Sequence, residues 1–439
     1  MTRAAETWRR WLMTCLLAIC GLLASVPGHA QLRLDITEGV HDAVPIAVIP
    51  FGGDAGTGAG EIGAVVANDL RLSGRFAPLD EKDMVARPTS GAEIRFQDWR
   101  LLATDYIVVG RAEPQGAGRS VNFELYNVKT GQLLLAERIA TSERGLRAAA
   151  HRVADAVYER LTGIPGAFST RVAYVAVEGR PPAQRFRLVV ADADGFNPRT
   201  ITESTEPIMS PAWSPDGQSV AYVSFESRVA AIYVQRLATG DRRRVSARAG
   251  INGAPAFSPD GRSLALTLSR DGNLDIYTLD LATQTLSRIT SNEAIDTEPE
   301  WSRDGRSLYF TSDRAGSAQV YRVALDAPQQ AARVTFDNSY NARPRVSPDG
   351  KELALVTLDR GGYRIAVMDL GTRSLRVLTK ASQDESPSYA PNGATIIYAT
   401  RDRGRGALAM VSADGRHQQR LSSDKGDVRD PAWSPFPAQ

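Results

Sequence analysis

The stretch Pro211-Ala-Trp-Ser-Pro-Asp-Gly217 decides the fold, because related stretches recur through the second half of the chain. Five of them begin at Pro255, Pro299, Pro344, Pro387 and Pro431. Successive prolines are therefore 44, 44, 45, 43 and 44 residues apart. Each Asp-Gly or Asn-Gly is followed by short apolar runs that turn residues separate, such as Leu308-Tyr-Phe310. Four short strands in about 44 residues are typical of a β-propeller blade.

The two ends of the repeat region predict how the ring of blades closes. Arg171-Val-Ala-Tyr-Val175 matches the strand that follows Asp-Gly elsewhere, but no Pro-x-Trp-Ser-Pro segment precedes it. That missing segment is present at Pro431–Pro435. We therefore expect the C-terminal strand to complete the blade that begins at Arg171, which makes six blades and leaves no open sheet edge between them.

Residues 31–165 carry no copy of the repeat and predict a small α/β domain. Ile46–Ile49 is an apolar run typical of a buried strand. Apolar residues at helical spacing predict one helix over 61–72 and a second over 146–161, which Gly163 ends. The predicted fold class is thus an α/β N-terminal domain over 31–165, followed by an all-β six-bladed propeller over 166–439.

Residues 1–30 are typical of a secretory signal peptide. Three arginines precede the uncharged run Trp11–Val26, and Gly28-His-Ala30 has the pattern of a cleavage site. The run is shorter than the roughly 20 apolar residues of a transmembrane helix. We expect export to the periplasm without insertion into a membrane.

The charge and cysteine content of the remaining chain excludes several function classes. Without residues 1–30 there are 49 basic and 49 acidic residues, and a chain without a basic excess is not expected to bind nucleic acid. Cys15 and Cys20 both lie in the predicted signal peptide. A disulfide, a zinc–thiolate site and a cysteine nucleophile are therefore excluded from the mature chain.

Three candidate chemistries have simpler structural interpretations. Gly58-Ala-Gly60-Glu-Ile-Gly63 fits a dinucleotide fingerprint, but it comes late after the strand, and a glycine-rich loop before a helix is favoured. The repeated Asp-Gly pairs and Asp192-Ala-Asp194 lack calcium-loop spacing and favour turns. No nucleophile elbow is present, and His41, His151 and His417 are interpreted as solvated or capping residues. We predict no catalytic residue, cofactor or metal.

Two further features of the repeats concern packing and surface charge. Aromatic rings recur at the second position after the proline and are predicted to pack between blades; they are Trp213, Phe257, Trp301, Tyr389 and Trp433, with Val346 as the exception. The loops entering the innermost strands should surround one end of the channel. These mouth loops are 203–210, 248–254, 293–298, 337–343, 380–386 and 424–430. Their eleven acidic and five basic residues suit a polar or basic protein epitope.

Over essentially the whole mature chain, the sequence resembles the TolB family, the periplasmic propeller proteins of the Tol-Pal system. The stretches that carry the resemblance are Gln31–Val40, Pro45–Phe51, Leu161–Phe168, Met209–Gly217 and Asn252–Gly261. The small N-terminal domain joined to the repeats is more discriminating than the repeats alone, which many propellers share.

The resemblance implies a non-enzymatic adaptor that supports outer-membrane integrity and constriction during cell division. Family members bind the lipoprotein Pal at the propeller mouth and TolA through their N-terminal segment, and some colicins use the same propeller surface. Carried over by position, the residues that face Pal are Met209, Ile251, Asn252, Ala254, Thr297 and Glu298. Those that face TolA are Leu32, Leu34 and Ile36.

Two points qualify that implication. The family often has a histidine where this chain has Ile251, so affinity or partner preference could differ there. The alternation in Leu32–Ile36 predicts a strand that adds to a sheet edge, in cis or on a partner, or that forms an edge strand of the small domain. An enzyme with its active site in the channel and a sugar- or peptide-binding module remain the alternative functions.

Overall fold

The computed structural model describes residues 32–36, 43–53, 58–328, 330–423 and 426–437. The predicted signal peptide and His41 lie outside the described residues. None of the helices in the described part is both long enough and apolar enough to cross a membrane.

The N-terminal region is a five-stranded sheet with helices on it. After a first strand that lies outside this sheet, β1 (Leu32–Ile36), its elements in chain order are β2 (Val44–Val48), α1 (Ala59–Leu72), β3 (Phe76–Pro78), α2 (Phe96–Leu101), β4 (Tyr106–Gln115), β5 (Gly118–Asn127), β6 (Leu133–Ser142) and α3 (Leu146–Thr162). The sheet order is β3-β2-β4-β5-β6. The first three strands are parallel and the last two add antiparallel. This is not the doubly wound sheet that a dinucleotide site would need.

Both faces of this sheet are buried, which explains the unbroken apolar run in β2. Successive side chains of a strand point to opposite faces. Val48 packs with α1 and α3 in one core, whereas Ala47 packs with Trp99 of α2 in another. Gly63 allows α1 to lie against the sheet, because an added Cβ would be 2.6 Å from the Ile49 carbonyl oxygen. The second and third glycines of the fingerprint therefore lie within a helix, and Gly63 serves packing against the sheet.

The repeats form six blades, as predicted. Their strands are β7 (Arg171–Glu178), β8 (Arg185–Asp192), β9 (Arg199–Ser204), β10 (Ile208–Trp213), β11 (Ser219–Ser224), β12 (Ala231–Arg236), β13 (Arg242–Ser246), β14 (Asn252–Phe257), β15 (Ser263–Leu268), β16 (Asp275–Asp280), β17 (Leu286–Arg288), β18 (Asp296–Trp301), β19 (Ser307–Ser312), β20 (Gln319–Ala324), β21 (Ala332–Arg333), β22 (Asn341–Val346), β23 (Glu352–Asp359), β24 (Gly362–Asp369), β25 (Leu375–Val377), β26 (Glu385–Tyr389), β27 (Thr395–Asp402), β28 (Arg405–Ser412), β29 (Gln418–Ser423) and β30 (Asp427–Trp433).

The C-terminal strand closes the ring. Blade 1 has the order β30-β7-β8-β9, and Trp433 lies opposite Val172 in its antiparallel register. Blades 2 to 5 each take four consecutive strands, from β10–β13 to β22–β25. Blade 6 contains β26–β29.

The recurring aromatic rings pack between blades, which confirms that prediction. The Trp213 indole N–H donates to the carbonyl of Ala432 in the preceding blade at 2.9 Å. Trp301 donates in the same way to Ala256 at 3.1 Å. These two indoles thus fill spaces between neighbouring sheets, and each satisfies its N–H on the preceding blade.

The segment β1 joins the propeller rather than the small domain. It pairs antiparallel with β29, so that blade 6 is a five-stranded sheet. In the register Leu32 lies opposite Ser423 and Ile36 opposite Gln419. Of the interpretations open at the sequence level, addition to a sheet edge in cis is confirmed, and an edge strand of the small domain is wrong.

Candidate functional site

A bulge in every innermost strand places one side chain per blade at the channel. The bulge falls directly before the repeat proline, whose missing N–H interrupts the ladder there. The residue before the proline has φ between 47° and 55°, which is left-handed backbone. These six residues all line the channel: Ser210, Ala254, Glu298, Arg343, Ser386 and Asp430.

Arg343 connects this ring across the channel. Its Nε lies 2.6 Å from Oε1 of Glu298, and its Nη1 lies 3.8 Å from Oδ1 of Asp430 and donates to Ser386 Oγ. Glu385 is a third carboxylate, at 3.9 Å. Burial alone would lower the pKa of Arg343, but these three carboxylates outweigh burial and raise it. The guanidinium is therefore permanently charged and holds the constriction together.

The constriction divides the channel into two parts. Arg343 and Glu298 line both the cavity among the inner strands and the cavity that opens at the mouth. The mouth cavity is also lined by Asp384, Glu385 and Asp427. The mouth loops carry an acidic excess, but the mouth cavity itself is also lined by Arg401 and Arg429 beside Arg343.

The six residues predicted to face Pal all lie at the mouth end, but their environments differ. Ile251 is 51% exposed and Met209 lines the mouth cavity. Asn252 is buried, and its Oδ1 accepts hydrogen bonds from Ser246 Oγ at 2.6 Å and from the Arg248 N–H at 3.0 Å. Asn252 therefore shapes the loop that presents Ile251, and its side chain has no free surface for a partner.

The other three residues belong to the channel wall. Ala254 and Glu298 occupy bulge positions, and Thr297 is half-buried with its Oγ1 3.4 Å from Oγ1 of Thr267. Glu298 is held from a second side by Thr311, whose hydroxyl donates to Oε2 at 3.1 Å. Of this set Ile251 offers the largest exposed apolar surface at the mouth.

Three exposed apolar residues on the same face were missed at the sequence level. They are Val229, Ile295 and Tyr363. The repeat could have revealed Ile295, because it lies 44 residues after Ile251 and thus in the same position of the next blade. The equivalent positions in other blades, which include Pro207 and Tyr340, line the mouth cavity. The mouth thus combines acidic loops with exposed apolar side chains.

A second cluster of charged residues lies between the α/β region and blade 1. His151 of α3 is buried, and its Nδ1 lies 2.6 Å from Oδ2 of Asp69 in α1. Its Nε2 is 4.0 Å from Oδ2 of Asp192, and Arg147 forms an ion pair with Asp194. The interpretation of His151 as a solvated or capping residue is therefore wrong. Its partners are far away in sequence, so no local pattern reveals them.

This interdomain cluster also contains a set of possible metal ligands. Asp69, His151 and Asp194 each place one ligand atom within 4.8 Å of the others. The guanidinium of Arg147 already pairs with the Asp194 carboxylate, however, and supplies the positive charge that a cation would bring. The geometry therefore favours an interdomain ion-pair network.

The interdomain cluster should make stability fall as pH rises. Burial raises the pKa of Asp69, and for His151 the hydrogen bond to Asp69 and the nearby carboxylates outweigh burial and raise its pKa as well. The folded protein then binds more protons than the unfolded chain, so the His151 contribution is complete below pH 6.5 and is lost as pH rises through the folded pKa. We expect the free energy of unfolding to drop by on the order of 2 kcal/mol between pH 5 and pH 8.

Chemical denaturation at both pH values measures this drop. The variant Asp69→Asn/His151→Gln removes both titrating groups and should show a clearly flatter pH dependence. An equally steep dependence in that variant would show that the pair does not cause the effect.

Both regions of the chain are similar to known proteins. A model described as the TolB beta propeller domain matches residues 158–437, and one described as the TolB amino-terminal domain matches residues 32–134. The chain is 52% identical over 434 residues to the Tol-Pal system protein TolB of Xanthomonas euvesicatoria pv. vesicatoria, which covers 97% of this chain and 98% of that protein. For Xanthomonas campestris pv. campestris the identity is 51% over 435 residues, with the same coverage.

A solved structure gives the same picture. The crystal structure of TolB from Acinetobacter baumannii superposes with a TM-score of 0.86 at 43% sequence identity. The match covers 92% of this chain and 100% of that one. Both the propeller and the preceding α/β region thus have a counterpart in a single known protein.

Proposed function

The chain belongs to the TolB family of Tol-Pal system proteins, and from this premise we propose that it is a non-enzymatic periplasmic adaptor. In this proposal the propeller mouth binds the lipoprotein Pal and the N-terminal segment binds TolA. The adaptor supports outer-membrane integrity and constriction during cell division, and colicins are further ligands of the same mouth.

The observation that carries the Pal assignment is the surface chemistry of the mouth. Ile251 and Ile295 are exposed on neighbouring loops of a rigid ring. Exposed apolar groups beside a polar centre are typical of protein-binding surfaces. The channel behind them is crossed by Arg343 and its carboxylates, so a partner would engage the rim and the outer cavity.

The pairing of β1 with β29 supports a role in which the N-terminal segment acts after its release from blade 6. Its backbone is paired with β29 along all five residues, so one edge of the strand is occupied in cis. TolA could add a strand to that edge of β1 only after β1 separates from β29 of blade 6. Blade 6 also carries Glu385 at the start of β26, so the segment and the mouth share one sheet. We propose that TolA and Pal binding are coupled through this sheet.

Deletion of residues 31–43 tests the N-terminal assignment. We expect the affinity for the periplasmic part of TolA to fall by at least about 100-fold, since the recognised strand is gone, and the affinity for Pal to change several-fold. Calorimetric titration with each partner measures both, and the unfolding midpoint shows whether the truncated protein is folded. Unchanged TolA binding would contradict the assignment, and unchanged Pal binding alone would discard the coupling.

A further inference from the structure

An arginine occurs at or beside the same turn of every blade. The turn joins the second and third strands of the blade as they run outward from the channel. The six residues, called here the arginine ring, are Arg180, Arg228, Arg270, Arg314, Arg360 and Arg403. They do not belong to the mouth loops and were not part of their charge count.

Hydrogen bonds fasten these turns to the mouth loops, so the arginine ring lies on the mouth face. The Phe225 N–H donates to the Pro207 carbonyl at 3.0 Å, and the Ile251 N–H donates to Ser269 Oγ at 2.7 Å. Blade 4 repeats the pattern, where the Ile295 N–H donates to Asp313 Oδ1 at 2.8 Å. The arginine ring therefore surrounds the acidic mouth, and the exposed apolar residues lie between the ring and the mouth.

Most of the arginine ring is available to a partner. Four members are exposed and form no ion pair with any residue that the structure describes: Arg180, Arg228, Arg360 and Arg403. Arg270 contacts its own neighbour, Asp271, at 3.1 Å. Arg314 is used within the fold, because its Nη2 lies 2.9 and 2.7 Å from the two oxygens of Asp296.

The opposite face has different turn chemistry. There the turns between the first and second strands carry Asp216, Asp260, Asp304 and Asp349. Each accepts a hydrogen bond from the serine two residues earlier, at 2.5–2.6 Å. The turns of both faces carry both charge signs. The mouth face also holds Glu226, Asp271, Asp359 and Asp402, each paired with an arginine, and the opposite face also holds Arg262 and Arg306.

We propose that the arginine ring binds carboxylates that encircle the contact surface of the partner, while the acidic mouth receives a polar or basic group at its centre. This inference rests on the proposed function, and the partner is the folded domain of Pal. A guanidinium binds carboxylates through two parallel hydrogen bonds, and arginine is enriched at protein interfaces. The concentric pattern sets the orientation of the partner, because a shifted complex would place like charges together.

The test reverses two charges on opposite sides of the arginine ring. Arg228 and Arg360 belong to blades 2 and 5, and the variant is R228E/R360E. The matched control is R262E/R306E, which makes the same charge change at exposed positions on the opposite face. We expect the dissociation constant for the soluble domain of Pal to rise at least tenfold in the first variant and less than twofold in the control. The decrease in affinity with added NaCl should also become weaker in the first variant.

Three outcomes would overturn the inference. If the parent and both variants bind Pal with the same affinity, the arginine ring has no role, although the proposed function stands. If the parent itself does not bind Pal, the proposed function and the inference fail together. If R228E/R360E loses binding to lipopolysaccharide micelles while Pal binding is unchanged, the arginine ring recognises a polyanion and not the protein partner.

Discussion

Replacing Ile251 by aspartate is expected to weaken binding of the soluble domain of Pal by about 30-fold or more. Ile251 is half-exposed at the tip of a mouth loop whose shape is held by the buried Asn252. The substitution removes apolar surface from the interface and requires a carboxylate to lose water beside an acidic mouth. A total of about 2 kcal/mol or more corresponds to that decrease in affinity.

Two variants show whether the effect belongs to the mouth. Leu101→Asp makes the same kind of change at an 87% exposed leucine at the end of α2, and should leave Pal binding unchanged. Ile251→Ala should give an intermediate loss. Equal affinities of Ile251→Asp and the parent in calorimetric titration would remove Ile251 from the interface.

Replacing Trp301 by alanine is expected to lower the free energy of unfolding by about 3–5 kcal/mol. The indole is buried between blades 3 and 4, where it packs with Leu308 and Tyr321 in one apolar cluster. The variant leaves a cavity between the two sheets and an unpaired carbonyl at Ala256, which accepts the indole N–H in the parent. Urea denaturation followed by far-UV circular dichroism measures the change.

Trp301→Phe separates the two contributions. It keeps most of the ring volume and loses the hydrogen bond, so the expected loss of stability is smaller, about 1–2 kcal/mol. A loss below about 1 kcal/mol for Trp301→Ala would contradict the assignment of these aromatic residues to packing between blades.

The propeller could be predicted because each blade repeats the same local chemistry. Asp-Gly turns, apolar strands and the proline that follows each bulge position all occur within one 44-residue unit. The blade that joins β30 to β7 was also predictable, because the two incomplete units complement each other. Ile251 directly precedes the innermost strand of its blade, so its position beside the mouth was predictable from the repeat as well.

The constriction at Arg343 could not be predicted from that pattern. Each bulge position precedes a proline and so could be located, but residue types from Ser210 to Asp430 differ between blades. That Arg343 reaches Glu298 and Asp430 depends on the diameter of the closed ring. Counting charges in the mouth loops indicated an acidic opening and not the ion pairs across it.

Contacts between distant segments of the chain could not be predicted from the sequence either. Alternation in residues 32–36 predicted a strand that seeks an edge, but only the folded chain identifies that edge as β29. His151 lies 82 residues from Asp69, and the pair forms because α1 and α3 pack on the same face of the sheet. Such pairings depend on tertiary packing and leave no periodic signal in either segment.

The central claim is that the propeller mouth binds Pal, and calorimetric titration of residues 31–439 with the soluble domain of Pal from the same organism tests it most directly. We predict saturable binding of one Pal domain per chain, which Ile251→Asp weakens and Leu101→Asp does not. The absence of binding at Pal concentrations of tens of micromolar would contradict the claim.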